Sequence, residues 1–257
     1  MTEAKAYRDI YNFSVKLNEV YQLFNDEHED ANEIFSLQFQ KYTRFMINGL
    51  MNASFLDLEK YRNASCVSNC LPGHSIRTAL LSICLAKELD IDEEEIYFIG
   101  LGGILHDIGK LFVPSKILHK PCKLSATEFD VVKKHASMGF ELLEDVRWLP
   151  QESLLIVQSH HEKLDGSGYP NRLVGNEIHF LSRIVGVADV FDAITSKRNY
   201  REMVNYNEAL EIIKREIPHL LDKNIVMGLV DLVESHIRSN GKHNENLNIG
   251  QGRAQAV

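Results

Sequence analysis

Apolar residues recur every three or four positions along most of this chain, which is the spacing of one face of an α-helix. The pattern predicts a helix over about 4–25 and another over about 31–61, with the acidic run 26–30 between them. After residue 73 it predicts seven more helices, at about His74–Leu89, Glu93–His106, Ser125–Val146, Pro150–His161, Phe180–Ser196, Tyr206–Glu216 and Leu221–Arg238. The alternation of strands and helices that a parallel sheet needs is absent. The fold is therefore predicted to be all-α, a helical bundle with an additional N-terminal helical region.

Helix start signals and breaks refine this division. Ser125 followed by Glu128 is a capping box, and Asp92 precedes an acidic first turn that suits the helix dipole. The stretch 164–175 contains three glycines and a proline, which predicts irregular structure. We divide the chain into an N-terminal helical region (1–61), a principal domain (62–238) and a disordered tail (239–257) without apolar periodicity.

Charge and composition exclude some classes of function. The 257 residues carry a formal net charge of -8, from 28 Lys+Arg against 36 Asp+Glu, which excludes binding to DNA or an anionic membrane through a broadly basic surface. No stretch approaches the roughly 18 apolar residues of a membrane span, and the N-terminus lacks a signal-peptide pattern, so a cytoplasmic protein is predicted. The four cysteines, at positions 66, 70, 84 and 122, are predicted to be free thiols.

One apolar helix ends in polar residues that are costly to bury. Gly100, Gly102 and Gly103 precede His106 and Asp107 in this segment. Each glycine lowers helix propensity by roughly 1 kcal/mol, so the glycines indicate a close crossing of helices. A tight crossing does not explain a histidine and an aspartate at the end of a buried helix, because both need partners there.

A second apolar helix contains Asp189 and Asp192, one turn apart and surrounded by apolar residues. Buried carboxylates are paired with cations or bind metal. Arg183 is a candidate to neutralise one of them, and the sequence leaves both interpretations open.

The histidines extend this set of polar residues. A lone histidine such as His135 is more often a core or surface residue than a ligand, whereas the neighbours His160 and His161 point roughly 100° apart on a helix and can serve two ions. The candidate ligands are His74, His106, Asp107, His135, His160, His161 and Asp189. Dispersed nitrogen and oxygen ligands without thiolate suit a catalytic site for Fe or Mn better than a structural zinc site. Because they exceed the needs of one ion, we predict two divalent ions bridged by Asp107. Two ions about 3.5–4 Å apart can generate hydroxide between them for attack on phosphorus.

Five segments together resemble a known family. They are H74-x-x-R77, H106-D-I-G-K110, H135-x-x-x-G139, the run HHEKLDGSGYP from His160 to Pro170, and RIVGVADVFDAITSKRNYR from Arg183 to Arg201. These segments resemble the motifs of the HD-GYP family of HD-domain phosphohydrolases, in that family's order, over about half of the chain. The resemblance implies an α-helical catalytic domain that hydrolyses cyclic di-GMP to linear pGpG, and further to GMP if a second cut follows. The alternatives are a hydrolase of another nucleotide, including cyclic GMP-AMP, and a receptor or scaffold without catalysis.

The resemblance also implies roles for individual residues. One ion is held by His74, His106, Asp107 and Asp189, and the other by Asp107, His135, His160 and His161. Lys110 contacts the scissile phosphate, and Arg198 and Arg201 grip the second phosphate and the guanine side. Tyr169, in the loop Gly168–Pro170, either packs against the loop or reaches into the site to bind substrate, and this loop implies a GGDEF-domain protein as a partner.

Two departures from the family pattern change these expectations. Cys70 stands where some members have a glutamate that recruits a third metal, so a third metal is not expected. Lys197 and Asn199 replace the acid and the proline that often flank the family arginine, which puts ligand preference in doubt.

Residues 1–61 are too short and too helical for a full sensor domain, and we predict that they form packing helices or a homodimer contact.

Overall fold

The computed structural model of the protein describes residues 37–52, 54–55, 71–196 and 204–251. The helices of these ranges are α1 (Leu37–Met51), α2 (Leu71–Glu88), α3 (Glu93–Leu105), α4 (Ser115–Leu118), α5 (Ala126–Lys133), α6 (His135–Leu143), α7 (Gln151–Ser159), α8 (Phe180–Thr195), α9 (Tyr206–Arg215) and α10 (Lys223–Gln251), with 3-10 helices at Ile108–Phe112 and Gly175–Glu177. Within the same ranges there is no strand, only an isolated bridge between Asp165 and Val174. The all-α prediction is confirmed.

Local signals act where the sequence predicts them. Asp92 accepts a hydrogen bond from the amide of Glu95 at 2.9 Å and starts α3. Ser125 and Glu128 form the reciprocal capping box at the start of α5. Residues 164–174 contain no regular element apart from the bridge, and Gly175 begins the 3-10 helix Gly175–Glu177. The irregular structure predicted over most of this stretch is confirmed.

Helix α3 lies at the centre of the bundle and packs against α2, α7, α8 and α1. A Cβ atom on Gly102 would come within 2.6 Å of Ile156 on α7, and one on Gly103 within 2.9 Å of the Cα of Ala79 on α2. The close helix crossing predicted from the glycines is therefore confirmed. It brings the ends of α3 and α7 near the start of α2, and five of the seven candidate ligands lie at these ends: His74, His106, Asp107, His160 and His161.

The described part of the N-terminal region shares this core. Ile47 and Leu50 of α1 are buried in it, and a Cβ atom on Gly100 of α3 would lie 3.1 Å from the side chain of Ile47. The helix predicted at about 4–25 lies outside the described residues, and a homodimer contact through residues 1–61 stays a prediction.

The helix predicted at Ser125–Val146 is two helices that meet at Lys134. The amide of Lys134 bonds back to the carbonyls of Val131 and Val132, which closes α5, and α6 begins at His135. The backbone of Gly109 lies directly against the carbonyl of His135. The apolar pattern of this segment carries no information about its contact with Gly109. It therefore does not predict the break at Lys134.

Helix α10 continues to Gln251, so residues 239–251 are helical where a disordered tail is predicted. Apolar periodicity indicates which face of a helix packs, and its loss after Arg238 does not by itself end a helix. No proline follows to end it. None of the helices in the described ranges combines the length and apolar character needed to cross a membrane.

Candidate metal centre

The seven side chains predicted as ligands converge at one place in the bundle. His74 lies near the start of α2, His135 begins α6, and Asp189 lies within α8. His106 and His160 each follow the last residue of a helix, α3 and α7 respectively, so that Asp107 and His161 come directly after them. Tight packing of α3 against α7 and α2 thus brings together residues far apart in the sequence.

Asp107 lies at the middle of this set and is fully buried. Its Oδ1 lies 3.3 Å from Nε2 of His135, and its Oδ2 lies 3.4 Å from Nε2 of His106 and 3.6 Å from Nε2 of His74. Two compact groups of potential ligand atoms share this carboxylate: Asp107 with His135, His160 and His161, and Asp107 with His74 and His106. These groups are able to hold a divalent metal.

Asp189 borders both groups. Its Oδ1 lies 3.0 Å from Nε2 of His74 and 3.9 Å from Nε2 of His106, and its Oδ2 lies 3.8 Å from Nδ1 of His161. This carboxylate is therefore close enough to the histidines to join a centre, although it does not belong to either compact group.

Backbone carbonyls fix the orientation of three imidazoles. Nδ1 donates to a carbonyl in His106 (Gly103, 2.8 Å), His135 (Val132, 2.7 Å) and His160 (Val157, 3.0 Å). In a neutral ring each Nε2 is then left with a lone pair directed into the centre. Nε2 of His135 and Nε2 of His160 face each other at 3.4 Å. Two facing lone pairs repel unless a cation or a donor lies beside them, so this geometry fits a metal.

Two acceptors of the centre are buried without a hydrogen-bond partner. They are Nε2 of His106 and Oδ1 of Asp107. Native proteins rarely leave buried polar atoms unsatisfied, because desolvation without a partner is costly. Divalent cations held by the two groups would satisfy these atoms.

The ionisation states of His135, His160 and Asp107 match those of metal ligands. Burial lowers the pKa of His135 to about 4 and that of His160 to about 3, so both rings are neutral near pH 7. Burial alone would raise the pKa of Asp107, but the surrounding groups, first among them the Lys110 ammonium, outweigh it and hold this pKa well below its usual range. Neutral imidazoles and an ionised carboxylate are the forms that bind metal.

A second carboxylate orients His74 from behind. Oδ2 of Asp192 accepts from Nδ1 of His74 at 2.8 Å, and its Oδ1 accepts from Nε of Arg77 at 2.9 Å. Arg77 therefore neutralises Asp192, whereas Arg183 pairs with Asp222 at 3.2 Å. Of the two readings that the sequence left open for this helix, a cation pair thus holds for Asp192, but the candidate partner Arg183 was wrong. The sequence feature that could have indicated Arg77 as the partner is its position one helical turn after His74.

The same contacts set the charge of His74. Burial alone would lower its pKa, but hydrogen bonds to Asp189 and Asp192 raise it to about 9. A protonated ring then donates from Nε2 towards Asp189. A cation bound between His74 and Asp189 would replace that proton and satisfy the same oxygen.

A cleft of about 620 Å³ opens over the centre. It is lined by the candidate ligands His74, His135, His161 and Asp189 and by the cations Lys110, Lys120 and Lys123. The ammonium of Lys110 donates to Oδ2 of Asp107. Lys120 is held by both carboxylate oxygens of Glu128. Cations around a cleft above a cluster of acceptors suit an anionic ligand.

Tyr169 also lines this cleft, and its ring lies 4.7 Å from that of His161. The loop that carries it is held by Glu162, a buried residue that sequence reasoning did not assign. The carboxylate of Glu162 accepts from the amides of Asn171 at 2.6 Å and Leu173 at 3.1 Å. The sequence feature that could have indicated a role for Glu162 is its position directly after the histidine pair.

Other predicted residues lie outside the described residues. Arg198 and Arg201 follow α8 within the range 197–203, as do Lys197 and Asn199. Cys70 precedes α2 and also lies outside the described residues. Their roles stay predictions. Among the described residues, Cys84 and Cys122 form no disulfide.

The chain is similar to proteins of known type. A family model described as "HD domain" matches residues 61–225. Over 140 residues the chain is 44% identical to the cyclic di-GMP phosphodiesterase PA4108 of Pseudomonas aeruginosa, covering 53% of this chain and 33% of that protein. Over 130 residues it is 45% identical to the 3'3'-cGAMP-specific phosphodiesterase 2 of Vibrio cholerae, covering 50% of this chain and 25% of that protein. The chain thus spans about a third or less of the length of these two relatives.

A solved structure shares the fold. Bd1817, an HDG"Y"P protein from Bdellovibrio bacteriovorus, superimposes with a TM-score of 0.65 at 20% sequence identity. The match covers 90% of this chain and 72% of that chain.

Proposed function

This chain belongs to the HD-domain family, as the HD-GYP motifs of its sequence imply, and we propose that it hydrolyses a phosphodiester bond of cyclic di-GMP. The observation that carries the proposal is a buried centre of acceptors beneath a cleft lined by lysines. His106 and Asp107 contribute acceptor atoms without a partner, which a divalent ion would satisfy. The lysines of the cleft suit a phosphodiester anion.

We propose two ions at this centre, with Fe or Mn as the metal. His74, His106, Asp107 and Asp189 would hold one, and Asp107, His135, His160 and His161 the other. The sharing of Asp107 between two compact groups supports this assignment. Bound there, the ions supply Lewis acidity, a lowered pKa of coordinated water and neutralisation of phosphate charge.

The protein's own residues position the substrate for this chemistry. Lys110 reaches the cleft while its ammonium is anchored on Asp107, so a cation is preorganised beside the place of the scissile phosphate. Tyr169 packs against His161 and would bound the ligand on one side. Arg198 and Arg201 are proposed to bind the second phosphate, because a guanidinium meets phosphate oxygens bidentately.

Lys110→Met is expected to lower turnover by roughly 10²–10³-fold, the effect of removing one preorganised charge from a reacting centre. Metal content should be unchanged or higher, because the ammonium competes with cations for Oδ2 of Asp107. The measurement is kcat together with metal analysis of the purified protein. Lys116→Met is the matched control, since Lys116 is exposed on α4 outside the lining of the cleft. Equal loss in both variants would contradict the assignment.

Asp192→Asn is expected to weaken metal binding by roughly 10–100-fold, the usual effect of losing a partner that orients a ligand. The carboxylate fixes His74 and also neutralises Arg77, so the variant loses both functions. Competition with a chelator measures the affinity. Asp222→Asn is the control, since it removes the partner of a different arginine, Arg183. If the two variants bind metal equally well, Asp192 does not orient a ligand.

The proposed reaction is tested by chromatography of products. Anaerobically purified protein with Fe(II) or Mn(II) is incubated separately with cyclic di-GMP and 3'3'-cGAMP, and pGpG or GMP is expected from the first. Faster cleavage of 3'3'-cGAMP would favour the second candidate substrate, which the similarity to a cGAMP-specific enzyme supports. Protein that holds metal and ligand but yields no product would instead be a receptor.

The loop Gly168–Pro170 is proposed as a contact for a GGDEF-domain protein. Tyr169 is half-buried and lines the cleft, so part of it is available to a partner. Unchanged binding of such a partner by Tyr169→Ala in a pull-down would contradict this proposal.

A further inference from the structure

A second cleft adjoins the one above the candidate metal centre, and we call it the basic cleft. Its volume is about 690 Å³, within the range of small-molecule sites. Phe129, His161 and Tyr169 line both clefts. The charged residues of the basic cleft are Lys133, Lys134, Lys163, Arg172 and Asp130.

Three of the four cations in the basic cleft form no close ion pair with a carboxylate in the described part of the chain. Lys133 pairs with Asp130 at 2.6 Å. Lys134, Lys163 and Arg172 form no close ion pair with a described carboxylate. Lys163 is half-buried, and Asp189, Glu216 and Asp165 act on it only at longer range. On a chain with a net charge of -8, unpaired cations converging on one concave space produce a local positive potential. An anion would lower that potential.

An aromatic ring is exposed beside these cations. The side chain of Phe129 is 46% exposed, and its ring meets that of Tyr169 edge to face at 6.3 Å. The ammonium of Lys133 lies over the Phe129 ring itself, 5.4 Å from its centre. Aromatic faces next to cations are how proteins commonly hold a base and its phosphate.

We propose that the basic cleft binds a phosphorylated nucleotide, with the base against Phe129 and the phosphate among Lys134, Lys163 and Arg172. The inference rests on the proposed function in one respect: hydrolysis of cyclic di-GMP would release pGpG, which carries a 5'-phosphate, beside this cleft. A free mononucleotide such as GMP has the same chemistry. The cleft would then hold the product after it leaves the centre, or a nucleotide from solution.

The test is calorimetric titration of the metal-loaded full chain with pGpG, GMP and inorganic phosphate. Lys134→Ala with Arg172→Ala should weaken nucleotide binding by about tenfold or more, because two charge-assisted contacts are lost. The control pair Lys223→Ala with Arg238→Ala removes the same charge from exposed positions outside the cleft and should change affinity less than twofold, on the order of experimental scatter. Stronger binding of pGpG than of GMP would identify the product as the ligand, and equal binding would identify any guanine mononucleotide.

Three results would overturn the inference. Equal weakening in both double variants would show bulk electrostatics alone. Binding that disappears when a chelator removes the ions, yet survives in the Lys134 and Arg172 variant, would locate the nucleotide at the metal centre. Inorganic phosphate binding as tightly as GMP would show that the base makes no contribution. The titration reads binding rather than turnover, so it decides this inference even if the chain hydrolyses no cyclic dinucleotide.

Discussion

Asp107→Asn is expected to reduce hydrolysis of cyclic di-GMP by at least about 10³-fold, beyond the loss from one ordinary electrostatic contact. Both compact groups of ligand atoms depend on this one carboxylate. An amide offers a single acceptor oxygen, and its NH₂ would donate to a neighbouring Nε2 such as that of His106 or His135. The variant would thus lose a shared ligand and gain an internal hydrogen bond that competes with metal.

Turnover and metal content should both be measured for this variant. Metal analysis is expected to give fewer ions per chain than in the intact protein, while circular dichroism stays unchanged, because the two side chains have nearly the same shape. Asp231→Asn, on an exposed position of α10, is the control and should retain full activity. Near-normal turnover by metal-replete Asp107→Asn would reject the assignment of the centre.

Much of the candidate site could be predicted because several of its residues are polar side chains in otherwise apolar helices. His106 and Asp107 end an apolar helix, and Asp189 lies inside another, so burial without partners was already implausible. The structure brings these residues together with His74, His135, His160 and His161. The helices themselves follow from apolar spacing and from start signals such as Asp92 and Ser125.

Pairings between distant segments could not be predicted in the same way. Periodicity indicates that Asp192 is buried, but it does not indicate that α2 is the neighbour of α8. Sequence proximity favoured Arg183 as the partner of Asp192, but its partner in the structure is Arg77 on α2. The break at Lys134 has the same origin, since it depends on contact between His135 and Gly109 from another element. The spacing of apolar residues describes one segment at a time, whereas each of these features depends on a contact between two segments.

Gly109→Ala is expected to destabilise the protein by about 3 kcal/mol or more, at the upper end of what overpacking causes. A Cβ atom there would lie 2.0 Å from the carbonyl oxygen of His135 and 2.6 Å from the amide nitrogen of Gly139. Both are backbone atoms, so relief requires the start of α6 to move away from the 3-10 helix at Ile108–Phe112. His135 would move with it, and activity should fall together with stability.

Gly49→Ala separates this clash from the general effect of a new methyl group. Gly49 lies in α1 with nothing within 4 Å of the added Cβ, and alanine there should stabilise the helix by roughly 0.5–1 kcal/mol. Urea unfolding of both variants gives the comparison, with opposite shifts of the midpoint expected. Similar midpoints would mean that α6 can yield at Gly109 without loss. Since the same contact sets the position of His135 beside Asp107, a Gly109 variant that unfolds earlier should also bind metal more weakly, whereas the Gly49 variant should bind it normally.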